Sequence, residues 1–273
     1  MTTVYPERHL ATLSEKLLLP PNLGAVASSY RTAKPYPHVV IDNLFPTELL
    51  DSVLDEMAQM RAAQWVNVDQ NPRERTVRMR SAAEMHAAGD RIVGLLHSAS
   101  FLYFLSDITG IEQLLPDPYL QGAGFAVMRS GDYFDVHADR NVAYETGLQR
   151  RLAMIVFLNK DWKKEYHGEL QLWSPDGKRC ETMIEPVYNR TILFEVAYPN
   201  FHGVPEPLAC PPHRVRQSFI AYFHTAGKAE ANAKPHTTIF APRMYGTPRQ
   251  RVRSVIREIV PPVVMRLYRR MFK

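Results

Sequence analysis

From Gly122 onward the chain breaks into short apolar runs separated by turn residues, and this texture limits the fold more than anything else in it. The runs are Phe125 to Arg129, Phe134 to Asp139, Leu152 to Asn159, Glu169 to Trp173, Thr182 to Ile184, Thr191 to Val196 and Arg216 to Phe223. Their lengths and their aromatic and β-branched content are those of strands. Leu152 to Leu158 is apolar at successive positions, so a strand there needs cover on both faces. Ser174-Pro175-Asp176-Gly177-Lys178 has the residues of a hairpin turn. Many short strands joined by turns fold as a sandwich or jelly roll. There is no internal repeat and no low-complexity segment.

The first third of the chain has a different rhythm. Residues 1 to about 36 are mixed; Leu18-Leu19-Pro20-Pro21-Asn22 and Lys34-Pro35-Tyr36-Pro37 are rich in breakers and read as loops, and His38 to Ile41 as a short strand. Pro46 suits a first helical position, where its missing N–H costs nothing. Leu49, Leu50, Val53, Leu54, Met57 and Met60 then recur at helical spacing to about Arg61, a stripe read as core packing. Trp65 to Arg80 is polar and carries four arginines, as a solvated surface would; a lid or substrate loop is the alternative. Ile92 to Ile108 is helical in pattern and stops at Gly110. The expected class is mainly β with flanking helices (α+β), the helices bracing one sheet.

Within the strand region, Gly131-Asp132-Tyr133-Phe134-Asp135-Val136-His137-Ala138-Asp139 puts an imidazole and a carboxylate two residues apart. Side chains at i and i+2 of a strand share a face, so His137 and Asp139 can reach one ion. His202, in Asn200-Phe201-His202-Gly203-Val204-Pro205, is the best third ligand. Two His and one carboxylate with open positions suit non-haem Fe(II) and oxygen chemistry. Downstream, Arg216 and Ser218 share a face of an apolar strand and could hold one carboxylate. A buried arginine is costly unless an anion meets it.

In this order the motifs resemble the 2-oxoglutarate and Fe(II)-dependent oxygenases, in their prolyl 4-hydroxylase-like branch. The resemblance covers about Phe125 to Thr225, with a weaker part at His38-Val39-Val40-Ile41-Asp42. Its landmarks are His137-Ala138-Asp139, Leu158-Asn159-Lys160-Asp161-Trp162, Gly168-Glu169-Leu170-Gln171-Leu172, Glu185-Pro186-Val187-Tyr188-Asn189-Arg190, His202-Gly203-Val204 and Arg216-Gln217-Ser218. It implies a double-stranded β-helix (a jelly-roll, cupin-like core) with Fe(II) on His137, Asp139 and His202. It implies 2-oxoglutarate on the metal, its far carboxylate at Arg216 beside Ser218, with ascorbate in a supporting role. The implied reaction hydroxylates an unactivated C–H bond with O2 and releases succinate and CO2. The retained Asp139 favours hydroxylation over halogenation. Phe157 stands where the family often has a tyrosine that helps to bind the oxoacid. The alternatives are an iron-free jelly-roll binding module and a cupin-like isomerase.

Position alone suggests Arg129, Arg140, Asn141 and Trp173 as substrate-lining residues. Arg151 is expected to pair with a surface acid or else to reach toward substrate. His167, His213 and His224 are expected at the surface or behind the ligands. The expected units are 1–115, a strand and helices bracing the core; 116–228, the jelly roll; and 229–273, a basic extension expected to be helical. From Arg243 onward there are nine Lys or Arg and one acid, or +8, so the rest of the +5 chain carries 24 bases and 27 acids, or −3. A body of that sign does not carry a nucleic-acid footprint. The tail is expected to pack on the body, with contact to anionic lipid as the alternative. No run of 18 apolar residues suggests a membrane span, and the N-terminus lacks the plan of a signal peptide. With only Cys180 and Cys210, the expected compartment is the reducing cytoplasm. The expected partners are O2 and a small-molecule or peptidyl substrate.

Overall fold

The computed structural model describes residues 8–69, 71–226 and 235–241. In chain order the elements are α1 (Arg8–Ser14), α2 (Leu23–Thr32), β1 (His38–Asp42), α3 (Thr47–Gln59), β2 (Trp65–Val68), β3 (Glu74–Met79), α4 (Ala87–Leu96), α5 (Ala99–Thr109), β4 (Leu115–Pro116), β5 (Gly124–Met128) and β6 (Tyr133–Ala138). They continue as β7 (Gln149–Phe157), β8 (Leu170–Trp173), β9 (Cys180–Ile184), β10 (Arg190–Glu195), β11 (His202–Val204), β12 (Arg216–Thr225) and β13 (Ile239–Phe240). All seven strands expected after Gly122 form, with ends shifted by no more than three residues. Breakers mark where a strand must stop more loosely than apolar pattern marks where it must exist.

The strands form one sheet that curls on itself in the order β1-β10-β7-β12-β5-β3-β6-β11-β8-β9, with β13 on β6, β2 on β3 and β4 on β12. The named strands pair antiparallel. β3 pairs with β5 through Val77 and Arg78 and with β6 through Glu74 and Arg75, which turns the larger half of the sheet into the smaller. This is the jelly roll expected from the strand pattern.

Alternation along β12 shows what the two halves enclose. Arg216, Ser218, Ile220 and Tyr222 face the interior cavity. On the other face Phe223 meets Phe101 of α5, with ring centroids 6.1 Å apart. β7 has the same division: Ala153 and Ile155 line the cavity, while Met154 and Val156 are fully buried in the apolar cluster that includes the helices. A strand with helices behind it and a cavity in front has no polar face, which explains the unbroken apolar run. Each fully buried Phe of this layer contributes about 1.5–3 kcal/mol by leaving water.

The helices have clear ends. Asn22 Oδ1 accepts from Ala25 N at the start of α2, and Ser98 Oγ from Phe101 N at the start of α5. Gly110 closes α5 in the left-handed region, at φ 72°. Pro46 caps α3 rather than opening it, a shift of one residue. Buried Glu56 on α3 accepts from the N–H groups of His86, Ala88 and Gly89, so a carboxylate sits on the positive end of α4. No single helix among the described residues is long and apolar enough to cross a membrane.

Three expectations need correction. Residues 8–32 are largely helical rather than mixed, because α1, α2 and the turn after α1 bury Leu13, Leu17, Ala27 and Tyr30 against the core. Trp65 to Arg80 is not a solvated run but the β2–β3 hairpin. Arg73 at its turn is buried, 2.8 Å from Asp135 and hydrogen-bonded to the Ala241 carbonyl. His224 is buried inside β12 instead of flanking it. The tail from Arg243 lies outside the described residues. Of the expected helical extension, the described part includes a strand, β13, beside Ala138 and His137.

Candidate metal centre

His137 lies near the end of β6 and His202 opens β11, and the two are direct cross-strand partners. Asp139 follows β6 by one residue and keeps to the face of His137. His137 Nε2 is 3.5 Å from Asp139 Oδ1, and His202 Nε2 is 3.7 Å from Asp139 Oδ2. One ligand atom from each of the three residues falls within 4.8 Å of the others, a spacing at which a single ion can touch all three. His137 Nδ1 donates to the Asp135 carbonyl at 2.8 Å, and His202 Nδ1 to the Asn200 carbonyl at 3.3 Å. Those bonds leave both Nε2 lone pairs for a metal.

Close packing fixes this geometry. A Cβ on Gly203 would lie 2.8 Å from the Phe134 carbonyl, so only glycine lets β11 come this near β6. The rings of Phe134 and His137 stack at 3.8 Å, and Phe194 closes on His202 at 4.7 Å. Burial pushes the His202 imidazolium down to about 4, with His137 beside it adding to the effect, so the ring is neutral and able to ligate. Burial works against ionisation of Asp139, but His202, His137 and Arg150 outweigh it and hold the carboxyl well below its usual range.

Tyr222 on β12 was not singled out by sequence. Its hydroxyl donates to Asp139 Oδ2 at 3.1 Å. A partner of this kind orients a ligating carboxylate and typically carries about 10–100-fold in metal affinity. Tyr222→Phe is expected to weaken Fe(II) or Mn(II) binding by roughly tenfold with the fold intact. Metal titration followed by circular dichroism checks it; unchanged affinity would remove this role.

Arg216 is 5% exposed at the start of β12. Its Nε donates to the Gly168 carbonyl at 2.7 Å, its Nη1 to Met128 Sδ at 3.8 Å, and its guanidinium lies over the Phe157 ring at 5.0 Å. No ion pair joins it to a carboxylate among the described residues. Burial lowers its pKa to about 10, which leaves it charged at neutral pH. Gly168 makes the pocket for it: at φ +93° and with a Cβ position 3.1 Å from Arg216 Cδ, it tolerates a close carbonyl where a side chain would collide. Ser218 shares the face. Where the family often has a phenol, this chain offers Arg216 the flat face of Phe157.

One cavity of about 280 Å³ contains His137, Asp139, His202, Arg216 and Ser218 in its lining. Among the substrate-lining residues suggested by position, Arg140 lines it too. Arg129 is exposed and outside that lining. Trp173 is buried in a separate cluster with Val136, Phe201 and Ala241. Asn141 is buried and accepts from the His236 backbone N–H, a structural bond. Arg150, not Arg151, faces the cavity, because a register shift in β12 between Phe223 and His224 changes the alternation where β7 begins. Glu74, Thr76 and Arg78 of the hairpin line it as well.

The motif Leu158-Asn159-Lys160-Asp161-Trp162 serves position rather than chemistry. Asn159 Nδ2 donates to the carbonyls of Pro186 and Gln217, and its Oδ1 accepts from Gln217 N at 2.6 Å. These bonds pin the first turn of β12 next to Arg216. The donor set and an arginine without an anion both fit Fe(II) and 2-oxoglutarate.

Comparison with known proteins agrees with this geometry. Residues 123–224 match the family model described as the 2OG-Fe(II) oxygenase superfamily. Prolyl hydroxylase EGLN3 of Mus musculus and of Homo sapiens is 30% identical over 96 residues, which is 35% of this chain and 38% of that protein. The chain therefore spans well under half of the curated relatives it matches. A Pseudomonas putida prolyl-4-hydroxylase structure aligns with a TM-score of 0.50 at 20% identity, over 78% of this chain and 97% of that one. A Trichoplax adhaerens prolyl hydroxylase, solved with a hypoxia inducible factor peptide fragment, aligns at 0.53 and 16% identity over 81% and 94%. At these identities the two structures speak for the fold.

Proposed function

We propose that this chain, whose residues 123–224 match the 2OG-Fe(II) oxygenase superfamily model, is a prolyl 4-hydroxylase-like dioxygenase that hydroxylates an unactivated C–H bond. The observation that carries this reading is the sharing of one cavity by a two-His, one-carboxylate set and a buried arginine with no carboxylate of its own. An iron-free module would have no use for that pairing, and a cupin-like isomerase would not need Arg216.

Fe(II) bound here with 2-oxoglutarate and O2 would supply the oxidising power for the hydroxylation, with succinate and CO2 as the other products. The residues of this chain do the rest. His137, Asp139 and His202 would hold the metal through two imidazoles and one carboxylate. Arg216, with Ser218 beside it, takes the far carboxylate of the oxoacid by charge-assisted donors. Tyr222 keeps Asp139 in its orientation. Phe134, Phe194, Leu170 and Val204 give the cavity an apolar wall that limits water.

A reducing compartment such as the cytoplasm is supported by Cys180 and Cys210, both free thiols. The test of function incubates cell extract with protein, Fe(II), ascorbate and 2-oxoglutarate and follows it by mass spectrometry. A 2-oxoglutarate-dependent product heavier by one oxygen is expected. A chlorinated or desaturated product, or none, would overturn the hydroxylase reading.

A further inference from the structure

We infer that the substrate of this site is an anion, whose carboxylate or phosphate sits against Arg150 and Arg140. The inference rests on the oxygenase reading and adds the substrate class that the reading leaves open.

Charge balance is the first support. Four guanidinium groups line the cavity, those of Arg78, Arg140, Arg150 and Arg216, against two carboxylates, Glu74 and Asp139. The histidine ligands are neutral when they hold a metal. Fe(II) and the 2-oxoglutarate dianion cancel one another, so the loaded site keeps an excess of two positive charges. A partly enclosed, partly apolar cavity holds such an excess poorly without an anion.

The second support is where that excess lies. Arg216 is assigned to the oxoacid, and Arg78 is paired with Glu74 at 3.1 Å. Arg140 and Arg150 remain, and neither makes an ion pair among the described residues. Arg150 is 3% exposed. Its Nη2 donates to the Gln121 carbonyl at 2.9 Å and its guanidinium lies 3.6 Å over the Tyr222 ring, yet its buried Nε has no partner among the described residues. Asp139 is the nearby acid, and it is committed to the metal. Arg140 is half-buried and stacked on Tyr144 at 4.0 Å, and among the described residues its guanidinium has no carboxylate partner. A buried N–H without an acceptor is a cost, which an arriving oxyanion removes.

The third support is placement. Arg150 is opposite His224 near one end of β12, while Arg216 opens the other end. The far carboxylate of an oxoacid held at Arg216 does not also reach Arg150.

The test uses the full chain loaded with Mn(II) in place of iron and saturated with 2-oxoglutarate, at fixed ionic strength. The probes are inorganic phosphate and acetate, and the readout is their nuclear spin relaxation, which Mn(II) accelerates for any ion held nearby; the Zn(II)-loaded protein is the diamagnetic baseline. We expect acceleration by phosphate, acetate or both, and the arm that responds names the oxyanion. Affinity should fall roughly tenfold in Arg150→Gln and measurably in Arg140→Gln, and should persist in Arg151→Gln. Arg140→Gln is half-exposed, so it keeps the test open if Arg150→Gln does not fold. No acceleration from either anion, or the same acceleration in both cavity variants, overturns the inference and leaves a neutral substrate such as a peptide carbonyl. Failure of Mn(II) to bind, or binding that Asp139→Ala does not weaken, would instead overturn the oxygenase reading beneath it.

Discussion

Asp139→Ala is expected to abolish stoichiometric Fe(II) binding. Three protein donors would hold the ion, and Asp139 is the charged one among them; it lies between the two imidazoles, 3.5 Å from one and 3.7 Å from the other. Loss of a residue that merely supports a ligand costs about 10–100-fold in affinity, so loss of the carboxylate itself should exceed roughly 100-fold. His202→Ala should behave alike, since β11 is only three residues long and brings no other donor to that side. Anaerobic titration with Fe(II), read against the wild type, measures both. Near-normal iron binding in both variants would sink the ligand set. Folding needs its own check, because removing Asp139 leaves the Tyr222 hydroxyl without its acceptor and removes a buried carboxylate beside Arg150. A far-ultraviolet spectrum and a melting curve separate lost metal from lost fold.

Arg216→Ala is expected to weaken 2-oxoglutarate binding by about tenfold to a hundredfold while sparing the metal. A charge-assisted contact is worth about 1.5–3 kcal/mol, and 1.4 kcal/mol is one decade. The site is shaped for an arginine in particular, with the Gly168 carbonyl on Nε and the Phe157 face beneath the guanidinium. Arg216→Lys should therefore recover only part of the loss, keeping the charge but not the planar fork. The control is Arg214→Ala. Two residues before Arg216, Arg214 lies ahead of β12 and gives its guanidinium to the Lys160 and Asp161 carbonyls instead of the cavity. Calorimetric titration of 2-oxoglutarate into the three variants decides the matter. If Arg214→Ala abolishes binding and Arg216→Ala does not, the wrong arginine has been assigned. If neither matters, the oxoacid does not bind at this end of the cavity.

Sequence alone determined those features that depend on local pattern. The seven strands after Gly122 and the helices of residues 47–59 and 87–109 form because period-two and helical apolar spacing leaves each element one way to bury its side chains. The same local logic put His137 and Asp139 on one face and Arg216 and Ser218 on another, since strand alternation is fixed by backbone geometry. His202 was legible only through the order of motifs, because β11 is too short to show a period of its own.

What only the tertiary structure decided depends on which strand lies beside which. A polar hairpin reads as surface until β3 is seen to bridge the two halves of the sheet and carry Glu74, Thr76 and Arg78 into the cavity. Arg150 and Arg151 cannot be told apart locally, because the register shift between Phe223 and His224 reverses which of them points inward. Tyr222 is one more apolar-looking residue of β12 until β6 brings Asp139 within 3.1 Å of its hydroxyl. Trp173 and Asn141 are adjacent to the ligands in sequence or in strand order, but packing turns them to a different cluster and a backbone bond. Long-range register is set by the summed packing of the whole barrel, and no window of sequence contains it.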